Sequence, residues 1–204
     1  MKRLALLVGG LAALVPSPAS AQVRWDAEVQ GGFAARWLTS RVPGVGNADL
    51  GPAFGASGHV ALVPLVRAGL AVDYEEASTI PNVVTRQLLG VGLDARVYSP
   101  WPRGDTRLYG RTGIGERFTF AGTSTFPTGV VKATEGEFTD VPLAIGFSDR
   151  IGGPVSLFAE LGARLGFGFV GEAYRTSLAP GAPASAYDHD TLAIYFEVGA
   201  MWGG

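Results

Sequence analysis

With two histidines and no cysteine, the chain has few residues able to support nucleophilic, acid–base or metal chemistry. Ser57-Gly58-His59 is the first candidate. Side chains two apart on a strand point to one face, so Ser57 and His59 stand together. A carboxylate such as Glu160 or Glu197, reaching them from another strand, would complete a nucleophile, base and acid set. The plainer reading is a histidine held in a polar interior, turned away from any lipid substrate, and the rest of the sequence favours it. Asp188-His189-Asp190, beside Tyr187, has metal-ligand residue types, but no second histidine lies near and an exposed loop end is the simpler account. The pairs Gly113/Gly115 and Gly166/Gly168 are not phosphate loops, because each sits inside a strand pattern with no helix after it. They read as small residues where an interior is crowded. Glu76, Asp140 and Asp190 fall near one rim, where divalent cations could bind, and solvated rim charge is the ordinary reading. The expectation is therefore no catalytic, cofactor-binding or metal residue.

The elements that must position these residues are strands. A basic start, an apolar run from Leu4 to Val15 and a small-x-small site at Ala19-Ser20-Ala21 read as a secretory leader over 1–21, leaving 22–204 as one barrel domain. The apolar run is short of the roughly 20 residues a membrane helix needs. Of the 16 Lys and Arg, Lys2 and Arg3 leave with the leader, so 14 face 18 acidic residues. Only Lys132 among them is a lysine, and with no basic block nucleic acid is not an expected partner. Mean hydropathy is +0.23, unusual for an exported domain that keeps its surface in water.

Segments of about ten residues alternate apolar and polar side chains, which is the period of a strand. In the last, Leu192, Ile194, Phe196, Val198, Ala200 and Trp202 oppose Ala193, Tyr195, Glu197, Gly199 and Met201. The segments beginning at Trp25 and Val155 repeat the rule, the latter running to Phe169. Weaker versions near 53–63, 66–76, 86–98, 107–120 and 139–149 bring the expected total to eight strands. Links near 40–52, 77–85, 121–138 and 170–190 are long, while those at Pro64, 99–106 and 150–154 are short. This predicts an all-β fold: a closed, antiparallel, up-and-down transmembrane β-barrel of eight strands with long loops at one end.

Three features place the polar face inside. Glycine is frequent on it, as an eight-stranded interior requires. It mixes charges of both signs, predicting an interior network of Glu28, Arg67, Asp94, Arg96, Arg111, Glu160, Arg164 and Glu197, with Arg111–Asp94 and Arg164–Glu197 as partners. Aromatics gather at the strand ends, predicting a girdle of Trp25, Trp37, Tyr74, Phe118, Phe147, Phe167 and Trp202.

From Trp25 to Trp202 the chain resembles the small outer-membrane β-barrels, the family of the outer membrane protein A transmembrane domain and its short relatives. The resemblance implies a Gram-negative outer-membrane location, contact with lipid and lipopolysaccharide, and insertion by the barrel-assembly machinery, with Trp202 as the terminal aromatic it reads. It implies a non-enzymatic role in envelope integrity or loop-mediated surface interaction, with an unnamed surface partner. A narrow conduit or binder for small hydrophobic molecules, a lipid-modifying enzyme using Ser57 and His59, and a soluble periplasmic ligand-binding barrel are the alternatives. Lipid A deacylases among such barrels order the pair His-x-Ser, the reverse of the order here.

Overall fold

The computed structural model describes residues 24–38, 48–79, 85–120, 122–126, 129–133, 135–171 and 191–203. The leader, His189 with its two aspartates, and most of the 170–190 link lie outside them. Ten strands are described: β1 (Trp25–Leu38), β2 (Ala48–Val63), β3 (Val66–Thr79), β4 (Thr85–Tyr98), β5 (Thr106–Phe120), β6 (Gly122–Phe126), β7 (Gly129–Ala133), β8 (Gly136–Gly152), β9 (Val155–Gly171) and β10 (Thr191–Gly203). Eight of them close into an antiparallel barrel in the order β1-β10-β9-β8-β5-β4-β3-β2. Closure leaves no open edge, so the backbone groups that a bilayer cannot hydrate find partners in the neighbouring strand. The segment 121–138, expected as a loop, instead carries the β6–β7 hairpin and the start of β8.

Chemistry decides which face turns inward. Along β1 the even residues Asp26, Glu28, Gln30 and Arg36 are buried, while Val29 and Phe33 are exposed. Along β10 Tyr195 and Glu197 are buried, and Ile194, Phe196 and Val198 are exposed. The apolar face is thus the outer one on every barrel strand, which excludes the soluble barrel with an apolar pocket. Such an exterior suits lipid and not water.

At one end the connections are tight. Pro64 and Leu65 join β2 to β3, Gly153 and Pro154 join β8 to β9, and 99–105 join β4 to β5. Gly104 and Gly153 adopt φ of 66° and 54°, the left-handed region that these turns need and that glycine enters without strain. The barrel strands run 13 to 17 residues, longer than the roughly ten needed to cross the apolar band, so the barrel projects beyond it. Two ladders are interrupted. Pro52 and Pro142 carry no N–H, and the β2–β3 and β5–β8 pairings skip the residues around them before resuming in the same register.

Alternation breaks in β9 where the sequence suggested continuity. Gly168 has φ 69°, and the β8–β9 register shifts between Glu137 and Thr139. The extra residue turns Phe169 toward buried Phe138, ring centroids 4.7 Å apart, and removes it from the outward series assigned to it. Gly168 is accordingly an exposed bulge residue and not a small residue in a crowded interior.

Candidate functional site

The inward faces of the eight barrel strands meet in a lumen filled by charge. At its short-turn end His59, from β2, lies between two carboxylates, with Nδ1 2.8 Å from Asp26 Oδ1 and Nε2 2.7 Å from Asp94 Oδ1. Arg67 donates to the other oxygen of Asp26, and Arg111 to the other oxygen of Asp94. Arg96 forks onto both oxygens of Glu28, at 2.6 Å to Oε2, and Ser57 donates to the same oxygen at 3.1 Å.

Midway along, Glu160 accepts from Arg111 at 2.9 Å, from Tyr109 at 3.1 Å and from Tyr195 at 3.0 Å. Toward the long-loop end, Arg164 donates to Glu197 at 3.3 Å and to Asp73 at 2.9 Å. Arg117 reaches Asp73 at 2.5 Å, Glu75 at 3.2 Å and Asp140 at 2.9 Å. Arg36 donates to both oxygens of Glu75 and to Thr191 at 3.0 Å. Unpaired, any one of these charges would be costly to bury; with most of them shared among two or three partners the cost is largely offset.

All eight residues named from the sequence for this network lie on the inward face, and Arg111 meets Asp94 and Arg164 meets Glu197. The upper cluster of Arg36, Asp73, Glu75, Arg117 and Asp140 was not singled out, although strand parity puts the first four on the same face. Asp140, read as rim charge, is buried against Arg117. Of the residues named for an aromatic girdle, Trp25, Phe147, Phe167 and Trp202 are exposed on the outer face. Trp37, Tyr74 and Phe118 are half-buried on that face, and Tyr74 donates to Glu76 at 3.4 Å. Phe120, at a strand end, is exposed there as the aromatic clustering predicts, and so are Phe33, Phe54 and Phe196, which the girdle did not include.

Rings are packed against glycines throughout the lumen. A Cβ on Gly146 would sit 2.5 Å from the Tyr109 ring, on Gly162 2.4 Å from Tyr195, on Gly166 2.7 Å from Phe138, and on Gly199 2.7 Å from Phe158. Each large ring therefore occupies the volume that an absent side chain leaves free. Guanidiniums stack on the same rings, Arg96 4.7 Å from the Tyr109 centroid and Arg164 4.4 Å from that of Tyr195. What space remains beside Asp73, Gly92, Arg111 and Pro142 is a cavity of about 30 Å³, room for roughly two waters.

This arrangement limits the chemistry available. Ser57 donates to Glu28 and His59 engages Asp26 and Asp94, so the pair does not form a nucleophile with its base, and Glu160 and Glu197 are engaged elsewhere. Asp26, Glu28 and His59 offer donor atoms within 4.8 Å of one another. Arg67 and Arg96 already neutralise those carboxylates and would repel a cation.

The sequence matches no protein-family model and no curated protein. Among solved structures the chain is similar to Neisserial surface protein A, with 10% identity and TM-score 0.60 over 87% of this chain and 96% of that one. It is also similar to a major outer membrane protein from Thermus thermophilus, with 15% identity and TM-score 0.57 over 90% of this chain and 100% of that one. The fold is that of the small outer-membrane β-barrels.

Proposed function

We propose that the chain is exported by a leader over 1–21, resides in a Gram-negative outer membrane and serves the envelope without catalysis or general transport, as a stable lipid-embedded scaffold presenting its long loops. The observation that carries this reading is the lumen: charged groups pair from Asp26 at one end to Arg36 at the other, and rings occupy the space over the glycines. Water and ions passing through would have to break several shared salt bridges at once. Small hydrophobic molecules would have to cross the same charged layers, which disfavours a conduit through the axis. Specificity then belongs to the loops, since the scaffold beneath them is generic.

Outer-membrane fractionation of the expressed protein tests the location, and electrophoresis of unheated and boiled samples tests barrel closure. The expected outcome is an outer-membrane band whose mobility changes on boiling. A soluble band with no change would overturn the reading. In planar bilayers the purified protein is expected to give no steady conductance, and reproducible open steps would show that the lumen is not shut.

A further inference from the structure

Arginines of this barrel fall into two groups. Arg96, Arg111, Arg117 and Arg164 each meet two or more carboxylates in the lumen. Arg24, Arg107 and Arg150, at the short-turn end, are exposed and have no carboxylate partner among the described residues. Strand parity turns all three inward, over the mouth of the lumen. Arg24 comes two residues before buried Asp26, and its carbonyl still accepts from the Ala61 amide at 2.9 Å, so the ladder reaches it. Arg107 comes two before buried Tyr109, and Arg150 two after buried Ser148. In the closed ring β1 stands opposite β5, and β8 is next to β5. The guanidiniums therefore approach the mouth from facing walls.

Arg67 forms the floor of this mouth. It holds Asp26, which His59 shares, and its guanidinium lies 5.2 Å from the centroid of the Tyr98 ring. Arg24 and Arg107 are both near enough for their charges to act on Arg67, so cations from opposite walls converge on one opening. Tyr98 is buried at this level, and its hydroxyl has no hydrogen-bond partner. The acids nearby leave the three upper charges unmatched. Asp149 alternates with inward Ser148 and Arg150, so it faces outward, where Thr106 donates to it at 2.9 Å. Asp105 is exposed on the turn between β4 and β5, and Arg103 on the same turn offsets it.

The directions of approach select the anion. A carboxylate is planar and presents its two oxygens along one edge, to one guanidinium fork. A phosphate is tetrahedral, and its oxygens can meet forks arriving from opposite walls at once. Three cations also exceed the charge of about −1.5 to −2 that one phosphoryl group carries, so two linked groups match them better. We propose that the short-turn mouth is a binding site for a soluble diphosphate anion, held by Arg24, Arg107 and Arg150, with the Tyr98 hydroxyl the next donor below. The site needs only the closed barrel, and so stands apart from the envelope role proposed above.

Equilibrium dialysis of the purified protein in detergent against labelled pyrophosphate, at low salt, tests this. Saturable binding is expected, about tenfold tighter than that of citrate, a carboxylate of comparable charge. In the variant combining R24Q and R107Q it is expected to weaken about a hundredfold, because each charged hydrogen-bonding group lost costs about tenfold. K132Q removes a cation from β7, at the other end of the barrel, and is expected to bind as the wild type does. No saturable binding in the wild type, citrate bound as tightly as pyrophosphate, or an undiminished affinity in the double variant would each overturn the proposal. An equal loss in K132Q would overturn it as well, by assigning the binding to net charge. The heat-dependent mobility shift, kept by a variant, shows that its lost affinity is not misfolding; a wild type lacking the shift refutes the barrel itself.

Discussion

Arg96 illustrates what one buried residue does here. Its guanidinium holds Glu28 by two hydrogen bonds, comes within 3.8 Å of Glu160 and lies on the faces of Tyr109 and Phe158. Removing it leaves carboxylates without their cation in a region that water scarcely reaches. Arg96→Met is expected to destabilise the folded barrel by about 3–5 kcal/mol, read as a lower urea midpoint for unfolding from lipid vesicles. Leu70→Ala, on the outer face, should cost much less, because lipid fills the vacated volume. Gly162→Ala tests the packing of rings on glycine: the new methyl would displace Tyr195 from Glu160, at a cost of about 1–3 kcal/mol by the same measurement. Side-chain parity makes the inward position of such residues legible in the sequence. It says nothing of which carboxylate a long arginine reaches across the lumen. Asp73 is an example, since it accepts from Arg164 although β3 and β9 are not neighbours.

Strand positions were legible wherever an apolar side chain recurred at every second residue, and less so beyond the lipid. There the outer face no longer has to be greasy and the period fades, so β2 begins at Ala48, before its predicted start, and β8 at Gly136. The β6–β7 hairpin escaped for the same reason, as its residues read like a polar loop. Gly168 shows the opposite error: an intact-looking pattern hides one residue of bulge, and the next aromatic changes face. The prolines leave a trace that can be measured. Where Pro142 interrupts the β5–β8 ladder beside the small cavity, the amide of Gly113, which faces it across the seam, is expected to exchange hydrogen faster than its strand neighbours. Uniform protection along both strands would show that the seam is as tight there as elsewhere. Replacing 122–133 by a short turn should leave the heat-dependent mobility shift intact, because that hairpin pairs with itself and not with the barrel wall.

For the molecule as a whole, the inward and outward faces obey different rules. Outward positions need only be apolar and of tolerable size, so Leu, Val, Ile and Phe can replace one another with little effect. Inward positions are bound to each other: Glu75 serves Arg36 and Arg117, and Arg117 serves three acids. A change at one must be answered at another, on a strand far away in the chain. Such a barrel can therefore drift through nearly all of its lipid-facing residues while its shape stays fixed, which suits identities of 10% and 15% to proteins of the same fold. Descent in this architecture would be recorded in linked pairs of charges, inherited together, and hardly at all in the run of letters along any single strand.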